Sequence, residues 1–461
     1  MPVVGAYMVP HPPMIIPEVG RGSEKKIMPT IRAYRQVADE IAEKRPETIV
    51  IISPHATMYA DYFHISPGSS AKGSFRDFGA PDVQFRETYD EALTDVIAAR
   101  ALLEEFPAGC AGERERKLDH GTMVPLYFIR QVYKEGKIIR VGLSGLPLYM
   151  HYELGLRIAD AIEETGRRAV IVASGDLSHK LKDDGPYGFA PEGPVYDSRI
   201  MDVCARAAFG ELFSFEESFC EKAAECGHRS FVIMAGALDG LSVKAEQLSH
   251  QDVTGVGYGI CTFDPGTPDE KRHFLEAYFG EEARKTAEMK EKSDAYVRLA
   301  AKTIEQYVRF HAVPDVTADL PEEMRKTKAG VFVSIHAHGK LRGCIGTTGP
   351  TASCVAEEII QNAVSAATRD PRFDPIEADE LKYLQISVDV LGKPEVIPSA
   401  EALDVKKYGV IVSSGRKRGL LLPDLDGVDT VQQQISIAMQ KGGIRRGEPL
   451  VLERFEVVRH V

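Results

Sequence analysis

Residues 3–9, Val-Val-Gly-Ala-Tyr-Met-Val, run straight into Pro10-His11-Pro12-Pro13, and residues 48–52, Thr-Ile-Val-Ile-Ile, run into Ser53-Pro54-His55. A third stretch, Ala169-Val170-Ile171-Val172-Ala173, leads to Ser174-Gly175-Asp176-Leu177-Ser178-His179. Further apolar runs lie at 138–143 and 255–262. Short runs of Val and Ile without polar alternation suit strands buried on both faces of a largely parallel sheet. Helical periodicity fills 31–43, 88–106 and 152–165 between them. Alternating strands and helices predict a layered α/β domain.

The texture changes in the second half. Asp264-Pro-Gly-Thr-Pro-Asp269 reads as turn chemistry, and the alternating charge of 281–292 reads as a solvated connecting helix. The expected organisation is an N-terminal domain at 1–264, a charged linker at 265–292 and a smaller α+β domain at 293–461. In the last, a helix at 296–310 precedes a hairpin, 330–337 with 340–345, turned by His338-Gly339. A helix at 351–368, strands at 383–391 and 409–412, a helix at 428–441 and a final strand at 454–460 follow.

Composition limits the function classes. The 461 residues suggest about three domains at about 150 each, and two large ones also fit. Hydrophobic residues make up 44% and charged residues 27%, the balance of a globular protein with an ample core. Lys and Arg number 56 against 68 Asp and Glu, a formal charge of −12 that disfavours nucleic acid and anionic membranes as partners. No run approaches the roughly 18 apolar residues that span a bilayer. The apolar start lacks a basic segment and is broken by prolines, unlike a signal peptide. Seven cysteines without a CxxC pair point to free thiols in a reducing cytoplasm.

The chemistry gathers on four histidines. Ligands of open α/β sheets bind beyond the carboxyl ends of the strands. His11, His55 and His179 each follow a strand there, and His120, in Leu118-Asp119-His120-Gly121-Thr122, is expected at a helix start. A single histidine is usually a hydrogen-bonded structural group. Three delivered to one edge have no structural reason to share it.

A metal centre needs a third donor, and Ala224-Glu225-Cys226-Gly227-His228-Arg229 is the best source. Glu225 would complete the two-His, one-carboxylate set of non-haem Fe(II) sites, whereas Cys226 would give a softer site favouring Zn, Cu(I) or thiolate-bound iron. Side chains of adjacent residues diverge, so one of the two is used. His228 is the weaker candidate. Tyr258, in Gly257-Tyr258-Gly259, stands within reach of the pocket or packs as an ordinary core tyrosine.

His11, His55, Asp119-His120-Gly121 and Gly175-Asp176-Leu177-Ser178-His179 together resemble the class III extradiol ring-cleavage dioxygenases and, equally, the Memo proteins that share their fold. The resemblance spans roughly residues 1–263. It implies Fe(II) held by His11, His55 and Glu225, with His120 and His179 lining the pocket. Memo proteins carry a Cys-Gly element where this chain has Cys226-Gly227, and there the Cys can serve as ligand. On the dioxygenase reading a catechol-type substrate chelates the metal. His179 is then the acid/base and His120 hydrogen-bonds developing negative charge. Retention of both pocket histidines favours Glu225 over Cys226.

Leu341-Arg342-Gly343-Cys344-Ile345-Gly346 and Arg369-Asp370-Pro371-Arg372-Phe373 resemble the AMMECR-type domain, from about residue 293 onward. Arg342, Arg369, Arg372, Arg416, Lys417, Arg418, Arg445 and Arg446 are basic residues that could share a face, and Cys344 is a candidate nucleophile beside Arg342. Chains joining these two domains resemble a bacterial and archaeal group named for a radical SAM partner. The leading expectation is a cytoplasmic, metal-dependent enzyme of the extradiol dioxygenase superfamily acting on a catechol-like small molecule with Fe(II), Zn or Cu being the alternatives. Its rival is a Memo-like metal-binding or interaction protein without ring cleavage.

Overall fold

Four strands, β1 (Val3–Val9), β2 (Thr48–Ile52), β3 (Lys137–Val141) and β4 (Ala169–Ser174), lie parallel in one six-stranded sheet. β5 (Leu241–Gln251) and β6 (Tyr258–Pro268) complete it as an antiparallel pair, in the order β3-β2-β4-β1-β6-β5. The computed structural model describes residues 2–114, 117–425 and 427–461. It divides into two units, Met1–Tyr278 and Phe279–Val461.

The unbroken apolar runs have a simple cause. Val50 and Ile52 of β2 pack into one core with helices Leu148–Glu164 and His228–Gly236. Ile49 and Ile51 pack into a second core with helices Met28–Lys44 and His120–Val132. A fully buried Val or Ile contributes about 1.5–3 kcal/mol, so both faces of every strand favour apolar residues. The layered α/β expectation holds.

Differences from the sequence reading have physical reasons. The helix expected over 88–106 is Glu91–Leu103, capped by Asp90, and Thr88 ends a strand instead. That strand, Ala80–Thr88, pairs with Ser70–Phe75 in a hairpin whose polar, charged sequence hid it. The turn expected at 264–269 is the end of β6 as far as Pro268. β1 stops pairing with β6 at Phe263, so beyond it β6 has one neighbour, β5, and tolerates proline as an edge does. The charged stretch belongs to helix Phe274–Lys292, within which the two units divide.

The second unit holds two four-stranded antiparallel sheets. Strands Lys340–Gly346, Val331–Ala337, Leu384–Leu391 and Val457–His460 form the first, against helices Ala295–Phe310 and Val355–Thr368. Glu395–Ile397, Val451–Phe455, Gly409–Ser414 and Lys417–Leu421 form the second, against helix Val431–Lys441. The last expected strand is therefore two, which part at Glu456 and enter different sheets.

Candidate metal centre

Because β1, β2 and β4 are parallel, the residues after them meet at one sheet edge. His11 is almost fully buried there. Ser174 Oγ donates to Gly121 O at 2.7 Å, so it accepts from His11 Nδ1 at 3.0 Å. That contact places the His11 proton on Nδ1 and turns the Nε2 electron pair outward. His11 N–H donates to Asp176 Oδ1 at 2.7 Å. His55, on the solvent side of the cluster, brings its Nε2 to 3.0 Å from His11 Nε2.

His120 begins its helix as expected. Asp119 caps it, accepting from Thr122 N at 2.9 Å, from Ser53 Oγ at 2.6 Å and from the buried Arg140 at 3.4 Å. The His120 and His55 rings lie 4.0 Å apart. Gly121 permits this approach, since a Cβ there would stand 2.4 Å from Ser53 Oγ.

A pair of glycines positions Cys226. A Cβ on Gly175 would stand 2.1 Å from Gly227 Cα, so the end of β4 and the start of helix His228–Gly236 touch backbone to backbone. Cys226 is thereby laid beside the sheet edge. Its Sγ accepts from Asp176 N at 3.3 Å and lies 3.6 Å from His11 Nε2. Glu225 turns the other way, accepting from His228 N at 2.6 Å at the helix start. The sequence preference for Glu225 as third ligand is not met by this placement, because neighbouring side chains diverge and the glycine contact aims Cys226 inward. His228 bonds Tyr196 OH and Leu212 O, a structural role.

The donor atoms of His11, His55 and Cys226 all lie within 4.8 Å of one another. Two imidazole nitrogens on one ion stand about 3.0–3.4 Å apart, and a nitrogen and a thiolate about 3.2–3.6 Å, for bonds of about 2.0–2.1 and 2.3 Å. The observed 3.0 and 3.6 Å fit both ranges. The electrostatics fit as well. Burial, then repulsion from His55, holds His11 well below its ordinary pKa, and His120 is lowered to about 3 by burial and by His55 and His11. Burial also lowers His55 and His179. Neutral imidazoles offer electron pairs at pH 7. Burial, then Asp176 and Glu225, pushes the Cys226 thiol well up, so a cation is needed to make it a thiolate. The residues fit a transition metal.

His179 is stacked on the exposed Tyr187 at 5.0 Å, and its buried Nε2 has no hydrogen-bond partner among the described residues. Exposed Phe78 stands edge-on to His120 at 5.4 Å. Tyr258 is buried, with Thr254 Oγ1 donating to its hydroxyl at 2.8 Å. Sequence reasoning missed Ser174 and Asp176 as site residues, although both stand in the quoted motif. Their signal was a short polar run directly following an apolar strand.

Residues 5–261 match the family model for the catalytic LigB subunit of aromatic ring-opening dioxygenase. The chain belongs to the LigB family. Residues 297–460 match AMMECR1, so the chain joins a LigB unit of the extradiol dioxygenase superfamily to an AMMECR1 unit. A Clostridium acetobutylicum protein is 42% identical, covering 100% of this chain and 99% of its own. A Thermotoga maritima protein is 49% identical over 36% of this chain and 96% of its own. A solved uncharacterized protein of Pyrococcus horikoshii is 29% identical, with TM-score 0.35, over 37% of this chain and 91% of that one.

The AMMECR1 unit's distinctive residues are committed to one another. Arg342 forms a bidentate pair with Glu380 at 2.7 and 2.9 Å and donates to Asp374 O. Cys344 N and Arg372 both donate to Asp370, and Ser334 Oγ donates to Cys344 Sγ at 3.3 Å. A Cβ on Gly343 would stand 2.3 Å from Ala366 O, which makes that glycine a packing requirement. Lys417 and Arg418 pair with Glu448 and Glu453. In the LigB unit a groove of about 570 Å³ lies along Ala80–Thr88 and the far end of helix His120–Val132. Arg130 in it is about 15 Å along the helix from His120 and is spent on Glu87. Among the described residues no helix is long and apolar enough to cross a membrane.

Proposed function

We propose that the LigB unit is a metal-dependent oxidoreductase for a small, catechol-like molecule, its metal held by His11, His55 and Cys226. The observation that carries this reading is the fixed His11 ring, with Nδ1 bound to Ser174 and Nε2 facing both His55 Nε2 and Cys226 Sγ. The LigB match and the retained His120 and His179 support it. Two imidazoles suit Fe(II), and a thiolate moves preference toward Zn or Cu(I). When bound, the ion supplies Lewis-acid activation of the substrate's hydroxyl groups.

The chain's own groups do the rest. His179 Nε2, buried and unpartnered, accepts the hydroxyl proton and returns it later. His120, neutral at pH 7, donates one N–H toward developing negative charge. Phe78 and Tyr187 flank these two rings and shield them from water.

A second reading, a metal-binding site without ring cleavage, is favoured by Cys226 in the place expected for a carboxylate. A thiolate beside dioxygen is oxidisable. The test is dioxygen uptake with catechol by the full chain, together with its metal content. His179→Ala should keep the ion at His11 and His55 and lose about 10²–10⁴-fold in rate. No uptake by metal-loaded wild type moves the account to the second reading.

A further inference from the structure

Three donors would hold the ion proposed above, and two more potential ligands stand beside them. Asp176, His179 and Cys226 form a second group whose ligand atoms lie within 4.8 Å of one another. Among the described residues, Asp176 Oδ1 accepts from His11 N at 2.7 Å but neither the carboxylate charge nor the His179 electron pair is matched by a lysine or arginine. Asp176 is buried, at 8% exposure, and among the described residues its ion-pair neighbour is His11, a neutral ring 4.0 Å away. His179 Nε2 is buried without a hydrogen bond. A lysine ammonium could satisfy such a set with its three donors, but among the described residues no lysine or arginine pairs with this carboxylate. A cation with affinity for oxygen, nitrogen and sulfur satisfies all three.

We propose that the cluster holds two metal ions sharing Cys226, one on His11 and His55 and the second on Asp176 and His179. Gly175 and Gly227 give this its geometric basis. Their contact sets Sγ between the end of β1, which carries His11, and the end of β4, which carries Asp176 and His179. The second ion occupies the electron pair that His179 needs for proton transfer. Its binding therefore silences the reaction proposed above, on which this inference rests, and makes activity fall as metal rises beyond one ion per chain.

The test is an anaerobic titration of the metal-stripped full chain with Co(II) alone, followed by equilibrium dialysis and by thiolate-to-cobalt absorption. Wild type should bind two ions per chain. His179→Ala and Asp176→Asn should each bind one, with the thiolate band retained, and circular dichroism checks that both are folded. Cys226→Ser, which removes the shared donor, should lose the band and both ions. One ion per chain in wild type overturns the proposal. It does so whether the two variants leave that ion in place or abolish it, the latter marking a single site built from all the donors. The His11→Ala variant separates the two failures: a single wild-type ion that is lost in His11→Ala overturns this proposal alone, whereas His11→Ala binding as wild type does overturns the underlying reading with it.

Discussion

The sheet edge of the LigB unit and the 341–346 segment of the AMMECR1 unit are both rich in reactive side chains, and they treat them oppositely. At the sheet edge, imidazole nitrogens face one another at 3.0 Å, and among the described residues no lysine or arginine pairs with the buried Asp176 or with the half-buried Cys226 beside it. In the AMMECR1 unit, Arg342, Asp370 and Arg372 are each paired at close range. A distinctive sequence therefore marks tight packing in one place and open chemistry in the other. What separates them is whether the protein itself satisfies the polar groups.

The largest break in this contrast is expected from His11→Ala, which should empty the metal site while leaving circular dichroism nearly unchanged. Chelation should then lower the Tm of wild type more than that of the variant, because a ligand at 100 times its Kd stabilises by about 2.7 kcal/mol. Full metal occupancy in His11→Ala would end the assignment. Gly175→Ala should come next, forcing the end of β4 away from Gly227. Overpacking of this kind costs about 1–3 kcal/mol. Because it separates Cys226 from His11, metal affinity should fall with stability, and unaltered affinity would show that the glycine contact does not aim the thiol.

Ser174→Ala leaves the ligands in place but frees the His11 tautomer. Loss of such a partner weakens metal binding about 10–100-fold, measurable by competition with a chromophoric chelator. The smallest effect belongs to Arg372→Ala in the AMMECR1 unit. It leaves buried Asp370 with the Cys344 N–H, at a cost of about 1 kcal/mol given that Arg372 is half exposed, and metal content should not change. The Arg372 guanidinium holds the Asp370 carboxyl below its ordinary range. That stability is present above about pH 3.9 and is lost as pH falls through the lowered value. In acid, the Tm gap between wild type and Arg372→Ala should therefore close, and a gap that widens would contradict the pairing.

Much of the fold was legible because burial on both faces leaves a mark on every residue of β1, β2 and β4. The hairpin at 70–88 was not, since only scattered apolar residues such as Ala71, Phe75 and Phe85 are buried and mostly polar residues separate them. Nor was the split at Glu456, which depends on two sheets that are distant in sequence. At the site, the strand ends pointed to His11, His55 and His179, because parallel strands share an edge. The choice between Glu225 and Cys226 could not be read locally. It depends on Gly175 touching Gly227 across 52 residues of chain, a contact that neither segment announces.

The central claim is that Cys226, with His11 and His55, holds the metal. The most direct test is the metal content of the full chain, purified anaerobically without added metal, in paired variants Cys226→Ser and Glu225→Gln. The account predicts that Cys226→Ser loses the ion and Glu225→Gln keeps it. An ion retained in Cys226→Ser and lost in Glu225→Gln would contradict it.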